Sequence, residues 1–595
     1  VTFNSSGAPT GTGTIYPGYT NTFVRVRGTT ASVFTITESA NRYRDNQRQA
    51  HFGAEHSLNR IKIDYEANYS LSKTKANDGA DGGIFSQRVR NVGWTLDSST
   101  PEEPIFTQTE GPSIYNIASY DNGNITWRNN HSLARILTGS ANATYQASAS
   151  IPLKIKAGVR FRRETADADV DSRLWTYLGT DGIIGNADDN LAKFVDPTIR
   201  ASQWSGANAL PFPGVAKVMR DIAMNPTHWR IDPYRTETQR LMGERSLSEQ
   251  VSAAYLQAQG AIGRLRALGG VRVERTDVDG TGFVQSKTLT TTAQRTADPI
   301  GSARADWNNL REISGGYTNT FPSIHLSYNL KPNLVARTSW STGIARPAMG
   351  NLVPRETANN TAQTLRINNP SLLPQYSDNF DLSIEYYFEP VGLLSLSAFR
   401  KSLSDYIIDR EAGIVGTGTD NGYNGEYAGY SLITQANSGT ARIEGIEFAY
   451  QQQLTFLPKP LKGLGVNASY TLLQTRGDYG DAVTTSTDQV PGFIPRTANF
   501  SLSYKYRRLS ARYMLNYTSD YFVAFNDEPS LLRYKYSRVS QNASTTFNLR
   551  RGIDLYCNLE NLSNAPVKYY YYSPDRPERT IFTGTFITFG ITGSF

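Results

Sequence analysis

Hydrophobic and polar residues alternate one by one over long stretches of the chain. In residues 61–71, Ile61 and Leu71 fall on one face, whereas Lys62 and Glu66 fall on the other. Successive side chains of a β-strand point to opposite faces, so a period of two predicts strands. The same pattern recurs in 153–162, 382–388, 555–560 and 586–595. About 17 or 18 such strands are predicted between residue 43 and the C-terminus.

Alternation alone fits either a soluble β-sandwich or a membrane barrel whose apolar face meets lipid and whose polar face lines a wet lumen. The connections separate these two architectures. Short turns are predicted near 58–59, 150–152, 262–263, 329–333, 389–390, 507–508 and 550–552. Long polar loops are predicted near 74–127, 167–245, 279–315, 347–375, 406–436, 477–492 and 564–580. Short turns on one rim and long loops on the other are typical of an all-β outer-membrane barrel.

The barrel hypothesis assigns individual side chains to the two faces of the wall. Residues expected to face lipid are Ile61, Ile155, Leu382 and Phe589. Residues expected to face the lumen are Lys62, Lys154, Glu385 and Asp554. Cys557, the single cysteine, also falls on the lipid face and excludes an internal disulfide.

Composition narrows the class further. The hydrophobic content is 39% and the mean hydropathy is −0.44, and no run approaches the roughly 18 apolar residues of a spanning helix. The 35 tyrosines and 25 phenylalanines fit two aromatic girdles at the membrane interfaces. The net charge of +7 is spread without a long Lys/Arg run, so no nucleic-acid partner is expected.

Two regions are distinguished by their patterning. Residues 1–42 are rich in Gly, Thr and Ser and are interpreted as a weakly patterned early strand and loop of the barrel, with a strand through 22–26. Residues 43–595 are interpreted as the transmembrane β-barrel with long extracellular loops, the largest at about 167–245. The final strand ends on an aromatic residue, Phe595, the position at which outer-membrane barrels carry their assembly signal.

Several segments in order resemble the barrel of a TonB-dependent outer-membrane receptor. They are Gly158–Phe161, Gly270–Glu274, Pro322–Tyr328, Trp340 to Pro347, Asn369–Pro374 with Asn379-Phe380 and 385–388, Ala441–Glu447 and Leu559–Asn564. The resemblance covers about residue 43 to Phe595 and is strong because seven such segments follow the order of the family and precede a terminal aromatic residue.

The resemblance implies a 22-stranded barrel integral to the outer membrane of a Gram-negative bacterium. It implies a receptor that imports a scarce ligand, namely an iron chelate, a corrinoid, a glycan or a peptide. Its partners would be the TonB complex, acting through a plug domain, and membrane lipid or lipopolysaccharide. Neither the plug nor roughly the first four or five strands is found, so a partial chain is expected. A passive porin and a surface-binding adhesin without transport remain as alternatives.

No catalytic apparatus is expected, and the chain is not predicted to be an enzyme. The five histidines lack metal-ligand spacing, and neither a G-x-S-x-G elbow nor a Walker loop occurs. The run Tyr569–Tyr572 fits either a stacking platform for a sugar or flat ligand, or the girdle and base of the last long loop. No cofactor is required by these patterns.

One acidic turn stands apart from the rest of the loops. Asp181, Asp188 and Asp189 lie within nine residues of a glycine-containing segment. Ca²⁺ prefers several carboxylate and carbonyl oxygens on a tight turn, so these three residues are candidate calcium ligands. Their spacing differs from the EF-hand pattern, and a solvated acidic turn is the alternative.

Overall fold

The computed structural model describes residues 14–30, 32–77, 82–100, 103–147, 152–184, 186–199, 210–286, 288–353, 355–359, 363–421, 423, 427–479, 487–526 and 529–593. The strands are β1 (Phe23–Val26), β2 (Val33–Ala40), β3 (Tyr43–Leu58), β4 (Ile61–Ala76), β5 (Gly83–Arg90), β6 (Gly93–Asp97), β7 (Ile105–Glu110), β8 (Asp121–Ala147), β9 (Leu153–Tyr177), β10 (Trp229–Ile231), β11 (Arg245–Ile262), β12 (Leu265–Val284), β13 (Asn309–Lys331), β14 (Leu334–Ala345), β15 (Glu356–Asn359), β16 (Thr364–Ile367), β17 (Gln375–Phe388), β18 (Gly392–Ile414), β19 (Ser431–Gln453), β20 (Leu464–Asp478), β21 (Arg496–Tyr506), β22 (Leu509–Thr518), β23 (Tyr521–Ala524), β24 (Arg533–Lys535), β25 (Arg538–Arg550), β26 (Ile553–Glu560), β27 (Val567–Tyr571), β28 (Pro577–Ile581) and β29 (Phe586–Gly593). The α-helices are α1 (Val215–Met224), α2 (Pro233–Gly243), α3 (Thr292–Ala297), α4 (Pro299–Asp306) and α5 (Met349–Leu352).

Seventeen of these strands pair side by side, all antiparallel, into the wall of the barrel. Their order is β3, β4, β8, β9, β11, β12, β13, β14, β17, β18, β19, β20, β21, β22, β25, β26 and β29. Within the described ranges, β3 pairs with β4 and β29 pairs with β26, so these two strands are the ends of the ladder. The predicted number of strands is therefore confirmed.

Short turns join strand pairs at one rim. Asn59, Gly263, Arg507 and Gly552 occupy them with φ angles of 54°, 56°, 52° and 79°. The commonest hairpin turns place a central residue at φ above zero, because such turns match the twist of the strands they join. The turn predicted at 150–152 lies outside the described residues except for Pro152.

The two faces of the wall follow the alternation in the sequence. Residues predicted to meet lipid are exposed on the outside, at 43% for Ile61, 36% for Ile155, 59% for Leu382 and 81% for Phe589. On the inside, Glu385 accepts two hydrogen bonds from Arg337, and Asp554 accepts one from Asn548. Lys62 pairs with Glu55 at 2.8 Å. Charged groups inside the barrel are therefore paired across neighbouring strands.

Several strands are much longer than a bilayer requires. A transmembrane strand needs about 9–11 residues, whereas β8 has 27 and β9 has 25. Their outer ends therefore stand well above the membrane. The loops predicted at 74–127 and 167–245 are shorter for this reason, since β8 begins at Asp121 and β9 continues to Tyr177.

A folded outer module sits on these extensions. Strand β2 pairs with β5 and β1 pairs with β6, so residues 23–40 join the first long loop. The buried core of this module is formed by Ile36, Phe85, Val89, Val92, Ile114, Tyr120, Ile125, Tyr177, Leu191, Phe194, Leu210, Val215, Val218, Met219 and Trp229. At its edge, Asp221 accepts hydrogen bonds from Lys193, Asn225 and Trp229. Burial raises the pKa of Asp221, but the hydrogen bonds from these three donors together lower it by more. The pKa of Asp221 is therefore below its usual value.

A second, smaller core ties a loop onto the inside of the wall. Leu352 and Val353, at and after α5, are buried with Leu247 of β11 and Val278 of β12. Leu247 and Val278 stand on the same face of their strands as the inward-facing Glu249 and Thr276. The loop after β14 therefore folds inward over the lumen.

Two further loops are joined by helices. The carboxylate of Asp306, at the end of α4, is fully buried and accepts hydrogen bonds from Tyr234 of α2, at 2.6 Å, and from the backbone and hydroxyl of Thr290. Arg295 of α3 completes the cluster at 3.1 Å. Within the described ranges, no helix is both long enough and apolar enough to cross a membrane.

Candidate ligand-binding surface at the barrel mouth

The last two long loops together form a small sheet at the outer end of the barrel. Its strand order is β23, β24, β27, β28, and all the pairings are antiparallel. Lys535 lies opposite both Tyr521 and Tyr569, whereas Tyr534 lies opposite Phe522 and Tyr570. The two sets of side chains therefore occupy opposite faces of the sheet.

One face is an aromatic core. The rings of Tyr534 and Tyr570 stack 5.2 Å apart, and Tyr536 lies 4.5 Å from Tyr570. Tyr570 is only 6% exposed, and burial raises its pKa to about 12. Further rings continue the core through Phe522, Phe525, Tyr479 and Tyr406. This face fixes the sheet to the neighbouring loop and to the outer part of β18.

The opposite face combines positive charge with aromatic rings, and we call it the basic-aromatic face. It comprises Tyr521, Arg533, Lys535, Tyr569 and Arg579. The Arg533 guanidinium lies 4.2 Å from the centre of the Tyr569 ring, and the Lys535 ammonium lies 5.8 Å from it. Lys535 is also 5.7 Å from the Tyr521 ring. Arg579 is exposed, and the other four side chains are half-buried, so they are held in place and still reach solvent.

One acidic group belongs to this face. Glu578 pairs with Arg533 through two oxygens, one of them at 3.0 Å, and lies 3.6 Å from Arg579. Three cations therefore face a single carboxylate. An excess of cations beside aromatic rings suits an anionic ligand that also carries flat rings, because charge pairing and stacking act on it together.

The run Tyr569–Tyr572 does not form one flat platform. Tyr569 and Tyr570 point to opposite sides of β27, and Tyr572 lies in the following turn with φ of 61° and an exposed fraction of 61%. The run belongs to the loop sheet and not to the barrel wall. Of the four tyrosines, Tyr569 is the one flanked by two cations.

A charged network lies inside the wall below the loop that carries α5. Arg346 donates to Glu274 at 2.6 Å and lies 3.9 Å from Glu249. Glu249 also pairs with Arg162 at 3.3 Å, and Glu274 pairs with Arg272 at 2.7 Å. Three strands and the start of a loop are thereby joined. Arg162 also pairs with Glu164, so three arginines balance three glutamates, unlike the single-sign rings that select ions.

The acidic turn is held by its own hydrogen bonds. Asp188 accepts from the backbone and hydroxyl of Thr180 and from the backbone of Asp181. Donation by Thr180 holds the pKa of Asp188 below its usual range. Asp181 accepts from Ile183 and from Asn186. In the described part of the chain, no three acidic, histidine or cysteine side chains are grouped so as to hold a metal ion.

Calcium binding by Asp181, Asp188 and Asp189 stays a prediction. The oxygen Asp188 Oδ1 is buried without a hydrogen-bond donor, so it is available to a cation. We expect added Ca²⁺ to slow proteolysis of the segment 178–199 and a chelator to restore it. The matched control is Asp188→Asn, which keeps the shape and removes the charge. Equal rates of cleavage with and without Ca²⁺ would mean that the segment is a solvated acidic turn that binds no calcium.

The cations of the basic-aromatic face are visible in the sequence as a local alternation of charged and aromatic residues, although they form no known motif. In Arg533-Tyr534-Lys535, charged and aromatic residues alternate with a period of two. The strand pairing then places Tyr569 beside both cations, although 34 positions separate it from Lys535. Sequence patterning shows the alternation but not this partner strand.

Comparison with known proteins bears on the whole barrel. A family model described as "TonB dependent receptor-like, beta-barrel" matches residues 77–562. No curated protein sequence matches the chain. Among solved structures, the ferric-catecholate import receptor Fiu from Escherichia coli K12 is 13% identical, with a TM-score of 0.52 over 96% of this chain and 78% of the receptor. The siderophore receptor PiuA from Acinetobacter baumannii is 10% identical, with a TM-score of 0.52 over 96% of this chain and 79% of the receptor. At these identities the likeness concerns the fold alone.

Proposed function

The chain belongs to the family of TonB-dependent receptor-like β-barrels of the outer membrane, and we propose that it serves to import an anionic iron chelate that carries aromatic rings. The basic-aromatic face at the barrel mouth is the observation that carries this choice of ligand. The Arg533 and Lys535 cations, 4.2 Å and 5.8 Å from the centre of the Tyr569 ring, match such a ligand in both charge and shape. The two receptors of similar fold are named for a ferric-catecholate and for siderophores, which agrees with this choice.

Other ligands of the family suit the face less well. A neutral glycan would use the Tyr569 ring but would make no use of the charge of Lys535, whereas Arg533 already pairs with Glu578. A peptide or corrinoid has no comparable need for several cations around one ring. An anionic chelate uses the ring and both cations, and each charge-assisted contact adds roughly 1.5–3 kcal/mol.

Transport would follow the capture of the ligand and would be driven by TonB through a plug domain. We propose no catalytic step, because import changes the position of the ligand and not its bonds. The lumen of a barrel of about 22 strands is wide enough to leak unless it is plugged. The paired charges around Arg346 give no ion filter that would suit a passive porin.

Ligand binding gives the test of the proposed chelate. We expect the full-length protein in detergent to bind a ferric catecholate complex, and Lys535→Gln with Tyr569→Ala to weaken this binding about tenfold to a hundredfold. Tyr572→Ala is the matched control, because this exposed tyrosine lies outside the cation pair and should leave affinity unchanged. Binding would be followed by quenching of tryptophan fluorescence.

Two results would contradict the proposal in different ways. Unchanged affinity in the double variant, with normal uptake in cells, would mean that the ligand binds elsewhere. Uptake that continues without the proton gradient or TonB, together with steady conductance of the full-length protein in a planar bilayer, would instead indicate a porin.

A further inference from the structure

Four arginines share the outward face of four neighbouring strands. They are Arg400 of β18, Arg442 of β19, Arg476 of β20 and Arg496 of β21. Arg400 lies opposite Phe380, Arg442 opposite Arg476, and Arg496 opposite Leu472. Since side chains alternate along a strand, all four point to the same side as the lipid-facing residues of the wall.

Their height places them near the outer edge of the membrane. Arg400 is eight residues beyond Gly392, which follows a short turn at the inner rim. Eight residues of tilted strand rise by about 20 Å along the membrane normal. The apolar band of such barrels is about 25 Å tall, so the arginines lie where lipid headgroups begin.

An apolar hollow lies directly beneath them on the outside of the barrel. It has a volume of about 830 Å³ and is bordered by Arg400, Arg442 and Arg496. Its apolar lining includes Phe380, Leu382, Ala398, Ile446 and Leu472. Phe380 and Leu382 are 52% and 59% exposed, which leaves room for a hydrocarbon chain.

A second, polar hollow continues above the first. It has a volume of about 720 Å³ and includes Arg442 and Arg476 with Ser402 and Thr440. Arg442 lines both hollows, so the apolar and polar parts share a border. The combined surface is apolar towards the middle of the membrane and positively charged towards its outer edge.

The charges on this surface are unequal. Glu444 pairs with Arg442 and lies 3.6 Å from Arg400, and Asp478 lies along the strand from Arg476. Asp488 also lines the polar hollow, so three acids face four arginines. Arg442 and Arg476 are directly opposite each other, and like charges in that position are destabilising. An anion between them would relieve the repulsion and accept hydrogen bonds from both guanidinium groups.

We propose that this surface binds a phosphate-bearing lipid of the outer leaflet. The phosphate sits between Arg442 and Arg476, and Arg400 contributes from the side. An acyl chain follows Phe380, Leu382, Ile446 and Leu472 down the wall. Guanidinium groups suit phosphate because their forked donors match its oxygens. The inference rests on the outer-membrane location and not on the ligand that is imported.

The test uses the full-length protein in a neutral detergent. The probes are short-chain phosphatidic acid, phosphatidylcholine with the same chains, and inorganic phosphate, with bound lipid counted by native mass spectrometry. We expect phosphatidic acid to bind most tightly. Arg442→Gln with Arg476→Gln should weaken it about tenfold or more, because two charge-assisted contacts are lost.

The control is the double variant Lys73→Gln with Arg163→Gln. It removes two other outward-facing cations, on β4 and β9, which lie away from β18–β21 in the wall. This variant should bind within about twofold of the parent protein, because it leaves the hollow intact. An equal loss in both double variants would show non-specific attraction. Equal binding of both lipids, or full competition by inorganic phosphate, would also overturn the proposal. None of these results would alter the expected uptake of an iron chelate.

Discussion

Leu396→Arg is expected to destabilise the barrel by about 2–4 kcal/mol, the cost of an arginine at the lipid midplane. Leu396 is 50% exposed on the outside of β18 and lies four residues from the inner end of that strand. The guanidinium group of the introduced arginine would have to displace lipid or stretch towards an interface. Stability would be measured by urea titration of the protein refolded into lipid vesicles, with heat-modifiable mobility on gels as the signal for folding.

Ser397→Arg is the matched control for that substitution. Ser397 is the following residue, points inward, and lies between Ser383 and Glu447. A wet lumen accepts a cation at little cost, so this variant should stay within about 0.5 kcal/mol of the parent protein. Equal losses in the two variants would contradict the assignment of the faces.

Phe194→Ala is expected to unfold the outer module and leave the membrane wall folded. Phe194 is 1% exposed, and its ring lies 5.3 Å from that of Tyr177 and 5.6 Å from that of Trp229. Removing a buried phenylalanine costs about 3–5 kcal/mol, which is comparable to the stability of a small domain. Limited proteolysis on intact cells should cleave the variant within residues 178–231, while its heat-modifiable mobility stays normal.

Ile183→Ala supplies the comparison for this prediction. Ile183 is in the same loop but 63% exposed, so its truncation should leave proteolysis unchanged. A Phe194→Ala protein that resists protease like the parent would mean that the outer module does not depend on this core. Loss of heat-modifiable mobility would mean that module and wall fold as one unit.

The wall could be predicted because each strand carries its own evidence. The alternation from Ile61 to Leu71 assigns both faces without knowledge of any partner strand, since lipid and lumen impose opposite polarity. The turns at Asn59 and Gly263 are local as well, because their residue types suit φ above zero. The number of strands and the family follow from such local signals added along the chain.

The outer module could not be predicted in the same way. Its strands stand in water or against other loops, so no lipid face imposes a period of two on them. Phe194 and Val218 look like scattered apolar residues until the fold brings them against Phe85. The role of β2 depends on its pairing with β5, about fifty residues away, and such distant pairing leaves no local trace.

The candidate binding surface falls between these two cases. The alternation in Arg533-Tyr534-Lys535 predicts a strand with two cations on one side. The aromatic ring near both cations comes from Tyr569, which belongs to another loop. The residue types are therefore visible in the sequence, whereas their grouping needs the three-dimensional structure.

The buried carboxylate of Asp306 has a kinetic consequence. Asp306 joins α2 to α3 and α4. Because α2 precedes β11 and the other two helices precede β13, this contact holds two separate loops together. A free loop samples its positions in nanoseconds to microseconds, but elements that move as one packed body rearrange in microseconds to milliseconds. Opening and closing of this side of the mouth would therefore be a slow collective step, visible by relaxation-dispersion measurements and absent from fast side-chain motion.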